Sequence, residues 1–152
     1  MFVNADLDPF TEAVGRVVIA GRRLDGAIGV LTAYALDDRS GRVMPGTLES
    51  LLRWWGDYIG RINDPVARTR HQAAYDKALE LGRRRDDTIN ALGRIAVPAT
   101  AVHGGSSGDS DNRGVAMSRH AVMDLRDLAA AMDAHVDVVR DLAEEVGDGR
   151  RI

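Results

Sequence analysis

The stretch Leu81-Gly82-Arg83-Arg84-Arg85-Asp86-Asp87-Thr88-Ile89-Asn90-Ala91-Leu92 sets three consecutive arginines beside two aspartates and an amide. A guanidinium there can stabilise charge on an anionic group. Asn90 can orient a partner by hydrogen bonding, but it cannot move a proton near neutral pH. Acid–base work at this place would therefore fall to a histidine. His71 and His103 are the candidates, and His103 opens the segment just beyond the arginines, from where it could fold back toward Arg85. The candidate set is Arg85, Asp86, Asn90 and His103. The structural alternative pairs Arg85 with Asp86, Asp87 or Glu80 and makes it a polar residue tolerated in an apolar seam.

Composition weighs on that choice. The 20 basic residues are 19 arginines and one lysine, Lys77. Such a skew points to GC-rich coding, as in actinobacteria or their phages, and lowers what any single arginine signifies. Arg85 is the exception, because it alone interrupts the apolar stripe of its helix. The net charge of −3 argues against a binder that relies on a broadly basic surface. Zero cysteines exclude disulfides, thiolate nucleophiles and thiolate metal sites.

Those residues carry a resemblance. Arg85-Asp86, with Asn90 where a histidine would stand, resembles the motif of the HEPN domains of prokaryotic toxins and defence nucleases. There, an arginine and a polar residue precede a histidine late in a helical bundle. The chain also resembles actinobacterial helical proteins that open on a helix of the Arg23-Leu24-Asp25-Gly26-Ala27-Ile28 type. Their last helix is of the Asp124-Leu125-Arg126-Asp127-Leu128 type. The HEPN resemblance implies a four- to five-helix bundle, paired domains, and metal-independent RNA cleavage by Arg and His. With Asn90 in the histidine position, it implies a domain that binds without cutting.

Other motifs are missing. The sequence has no phosphate-binding GxxxxGK[ST], no GxGxxG after a strand, no HExxH and no Glu-x-x-His. Asp109-x-Asp111-x-Arg113-Gly114 lacks the fifth ligand and the bidentate glutamate of a calcium loop. No metal and no cofactor is expected. His135 lies on an apolar heptad face and is expected to be a hydrogen-bonded core residue.

The elements that must position these residues follow from apolar periodicity. A first helix is expected from Asp8 as cap and Pro9 as first residue, with Val14, Val17, Val18, Gly21, Leu24, Ile28 and Leu31 on one face. Met44-Pro45-Gly46 breaks it. Thr47 caps a second helix, whose face is Leu48, Leu51, Leu52, Trp55, Tyr58, Ile59 and Ile62. Asp64-Pro65 opens a third, closed by Pro98, with the seam Ala74, Ala78, Leu81, Arg85, Thr88, Leu92 and Ile95. Residues 103–113 are expected to form a flexible Gly/Ser loop, and 99–102 could pair with 114–117 as a short hairpin. A fourth helix is expected over 121–146, with Leu125, Leu128, Met132, His135, Val139, Leu142 and Val146 at heptad spacing.

The fold expected is all-α: a single four-helix bundle of long antiparallel helices over 1–147, then a tail at 148–152. The opening residues lack a basic region followed by an apolar run, and charges interrupt the longest apolar stretch. Neither a leader nor a membrane span is expected, and the cytoplasm is the default. Trp54, Trp55 and Tyr58 are candidate interface anchors. The expected function is a non-catalytic interaction module, homodimeric, with a protein or RNA as further partner, in a toxin–antitoxin or phage-defence setting. The alternatives are a metal-independent HEPN-type ribonuclease and a phage or mobile-element accessory protein. A helix-turn-helix at Asn63–Pro65 is weaker, since the helix that follows is too long for a recognition helix.

Overall fold

The structure, a computed structural model, describes residues 7–36, 46–96 and 110–149, with the side chains of 7–8, 93–96 and 110–118 left aside. Among the described residues there are four helices and no strand: α1 (Leu7–Ala35), α2 (Leu48–Ile59), α3 (Pro65–Ala96) and α4 (Ser110–Asp148). The all-α bundle expected from periodicity is what forms.

Local chemistry sets the ends. Thr47 stays extended, and its hydroxyl accepts from the Ser50 amide at 3.3 Å. Ser50 returns its own hydroxyl to the Thr47 carbonyl at 2.9 Å. Replacing Thr47 by alanine should lower stability by about 1 kcal/mol in urea titration, the usual worth of such a cap. Asp64 caps α3 by accepting from the Val66 amide at 3.0 Å. The Arg68 guanidinium grips the Ile62 carbonyl and so fixes the turn between α2 and α3.

Two ends differ from expectation. The helix α1 opens at Leu7, so Pro9 sits inside the first turn and Asp8 does not cap. Amides of a first turn have no partner within the helix, so proline loses nothing there. The helix α4 begins at Ser110, not near 121. Residues 110–113 of the expected loop and 114–117 of the expected hairpin are therefore helical. Ser110 and Asp111 are residue types that favour a first turn, which outweighs Gly114. The rest of that loop (103–109) and the other hairpin arm (99–102) lie outside the described residues, as do 150–152 of the tail.

Cross-helix pairs fix the topology. Leu48 meets Gly82 and Trp55 meets His71, so α2 and α3 are antiparallel. Arg70 pairs with Glu145 and Ala74 with His135, so α3 and α4 are antiparallel too. Glu12 pairs with Arg126, Arg23 with Asp133, and Tyr34 lies on Gly147. These two longest-packed helices, α1 and α4, therefore run parallel, which departs from a bundle with every neighbour antiparallel. The reason is that α1 and α2 share a direction, leaving α3 as the one helix running the other way.

The core lies along α1 and α4. Every heptad residue of α4 from Leu125 to Val146 is buried, as are Val17, Leu24, Ile28 and Leu31 of α1. Small residues at Ala20, Ala27, Ala129 and Ala143 are buried between them. The expected face of α1 fails at Val18, which is 50% exposed. The twelve-residue α2 spans only part of the seam between α1 and α3, and Val18 lies below its start.

Candidate functional site

Arg85 is positioned by a glycine. A Cβ built on Gly21 of α1 would stand 3.1 Å from Arg85 Nη1 and 3.2 Å from its Cδ. The bare backbone there lets the arginine lie flat against α1, beside Met132. Arg85 Nη1 reaches both oxygens of Asp25 at 3.4 Å, and its Nε lies 3.5 Å from Asp86. Its side chain is 18% exposed. Burial pushes the Asp25 carboxyl above the usual carboxylate range, while the Arg85 charge works against that shift. The arrangement is a half-buried ion pair tying α1 to α3 across the seam.

Beside it, between the start of α2 and α3, lies a groove of about 580 Å³. Leu48, Leu52 and Leu79 give it an apolar floor. Arg53, Arg83, Arg85, Glu49, Asp86, Thr47, Tyr75 and Gly82 complete the lining. Arg53 already pairs with Glu49.

Of the candidate catalytic residues that are described, Arg85 and Asp86 come together and Asn90 does not join them. Asp86 is next to Arg85 and lines the same groove. Asn90 is exposed. Five residues along a helix is about 140° of rotation, so Asn90 and Arg85 do not share a face. His103 lies outside the described residues. His71 is about 21 Å from Arg85 along α3, at 1.5 Å per residue, and serves another purpose. Of the alternative pairings, Arg85 with Asp86 forms and Arg85 with Glu80 does not, Glu80 pairing instead with Lys77 at 2.8 Å and Arg84 at 3.9 Å.

The three candidate interface residues also separate. Trp54 is 43% exposed on the outer side of α2. Trp55, expected with it, is fully buried and unavailable to a partner. Its indole N–H donates to His71 Nδ1 at 3.2 Å, and Tyr75 stacks edge-on at 5.8 Å. A buried indole needs such an acceptor, and His71 supplies it. Tyr58 is half-buried against the His71 ring. His135 is the core histidine expected: its Nε2 donates to the Ala74 carbonyl at 2.8 Å.

Neither Asp25 as the partner of Arg85 nor His71 as the partner of Trp55 is marked by a motif in the sequence. Asp25 had a signal, since it stands one turn from both Gly21 and Ile28 at the edge of the α1 stripe. Among the described residues no group of three or more potential metal ligands gathers, and no helix is long and apolar enough to cross a membrane. No family model, curated protein or solved structure matches the chain.

Proposed function

We propose that the chain is a non-catalytic helical interaction module that acts as a homodimer. The observation that supports this is the pair of exposed apolar residues on the helices flanking α2, Val18 on α1 and Ile89 on α3. On α1, Gly29 and Thr32 are buried, and three to four turns earlier the same stripe reaches the exposed Val18. On α3, His71, Ala78 and Gly82 are buried along one stripe. That stripe continues to Ile89, which is 48% exposed. Both apolar residues lie just beyond the Arg85–Asp25 pair, past the start of α2.

The outer surface therefore carries Trp54 on α2 and the exposed apolar Val18 and Ile89 on the two flanking helices. A two-fold interface is self-complementary, so each copy must present the whole patch. The occupant of this patch is a second copy of this chain. Light scattering on a sizing column should give twice the 16.4 kDa chain mass at micromolar concentration. Ile89→Glu and Trp54→Ala should each return it to a monomer with unchanged helix content. A clean monomer for the unaltered chain would overturn the proposal.

The non-catalytic part rests on Arg85 being committed to Asp25 while Asn90 faces elsewhere. The resemblance to HEPN domains supports placing such a module in a toxin–antitoxin or phage-defence system, with a protein or RNA as further partner. Purified protein should leave tRNA and mRNA intact at high protein excess. Cleavage abolished by Arg85→Ala would instead establish the ribonuclease reading.

A further inference from the structure

Among the described residues, one side-chain hydrogen bond joins α2 to another helix: Trp55 Nε1 to His71 Nδ1. An indole N–H donates and never accepts, so His71 Nδ1 has to be the unprotonated ring nitrogen. Adding a proton there turns donor and acceptor into two donors facing each other in a buried site. The other core histidine lacks this property. His135 Nε2 donates to a carbonyl, and an imidazolium can keep that bond.

We propose that Trp55 and His71 form an acid-operated latch: neutral His71 holds α2 on the bundle, and its protonation releases α2 while α1, α3 and α4 stay packed. A dozen residues of helix are marginal on their own, so α2 depends on its docking. The α1–α4 pair has an extensive interface of its own that does not involve α2.

The surroundings of His71 suit the role. From α2 come Trp55 and the Tyr58 ring, 5.6 Å away. On α3 itself stand Arg70, whose charge disfavours a second cation nearby, and Tyr75, which closes the other side of Trp55. From α4 comes Glu145, which would welcome the imidazolium, but Arg70 binds that carboxylate through two hydrogen bonds of 2.8 and 2.9 Å. No titratable group of α1 is among these partners. Burial, the largest influence, holds the His71 ring below the ordinary histidine range. The latch therefore opens under acid conditions, below that range, and is closed at neutral pH.

Trp54→Phe makes Trp55 the only tryptophan, since the chain has two. On acidification its emission should move to the position of an exposed indole, while far-UV circular dichroism loses only a small share of its helix signal. In the same background, His71→Gln offers an amide oxygen that accepts from the indole and does not titrate. Its emission should stay at the buried position across the same pH range. A shift that persists in His71→Gln, or no shift until the whole helix signal collapses, would overturn the latch.

Should His71→Gln not fold, the single-tryptophan chain still decides the matter by NMR. Protection of the Trp55 indole proton against exchange should fall at least about tenfold in step with protonation of the His71 ring. Protection that survives a protonated His71 would refute the proposal.

Discussion

Trp55→Ala is expected to destabilise the protein by about 3–5 kcal/mol, the range for truncating a large aromatic in a closed core. Trp55 is fully buried, so the lost transfer energy and the cavity both count. Two further losses add to them. His71 Nδ1 is left as a buried acceptor without its donor, and the edge-on contacts to Tyr75 and His71 disappear. Against a total stability of roughly 5–15 kcal/mol for a domain, this takes the chain toward the unfolding threshold. Urea titration followed by circular dichroism checks it. Trp55→Phe separates the parts: it keeps most of the ring volume but strips the donor, so it should fall between the alanine variant and the parent. Trp54→Ala, one position away, should change the stability of the dissociated chain by no more than about 0.5 kcal/mol, as an exposed side chain does. Equal losses at the two positions would mean that the assignment of buried and exposed faces on α2 is wrong.

That pair of tryptophans shows how far periodicity reaches. The apolar face of α2 placed Trp55 inward and Trp54 off the face, and the structure agrees. The same periodicity could not say whether an inward tryptophan meets its own chain or a second one. That depends on where His71 lies, sixteen residues away and across a turn. Heptad spacing likewise located the α4 core and the buried His135, because that face is buried without a break from Leu125 to Val146. It failed at Val18, which continues an apolar stripe, but burial there requires a third helix, and α2 starts too late along the seam. The length of α2 thus decided what the stripes alone left open.

The start of α4 was illegible for a different reason. Residues 110–117 mix first-turn residue types with Gly114, so composition reads as loop although the segment is helical. Helix direction was also beyond the pattern. A stripe tells which side is buried and not which way the neighbour runs, and parallel α1 and α4 become visible only through pairs such as Glu12–Arg126 and Tyr34–Gly147.

Arg85, the polar break in the α3 seam, is expected to act on stability: Arg85→Ala should lower it by about 1–2 kcal/mol at pH 7. The larger losses known for broken buried pairs apply to ions sealed from water. Here Arg85 is 18% and Asp25 30% exposed, and the contacts of 3.4 Å are long for charged groups, so water shares the load. Part of the loss is packing, because the arginine stem fills the space over Gly21 against Met132. The rest is electrostatic and has a pH signature. Burial raises the Asp25 carboxyl above its ordinary value, and Arg85 is the strongest influence holding it down. A carboxyl raised on folding binds a proton more readily in the native state than in the unfolded one. Its ionisation therefore opposes folding at neutral pH, and that opposition fades as pH falls through the raised value. Without Arg85 the value rises further, so the opposition at pH 7 is greater and begins to fade at a higher pH. The stability gap between parent and Arg85→Ala should thus be widest at neutral pH and narrow on acidification. Arg85→Met keeps the stem and should recover the packing part while showing the same narrowing. Adding Asp25→Asn should remove the part of the pH dependence that Asp25 carries, leaving the exposed Asp86 as the carboxylate beside Arg85. A gap that stays constant between pH 7 and pH 4 would show that Arg85 does not serve Asp25. The arginine would then be free to meet a ligand in the groove beside it.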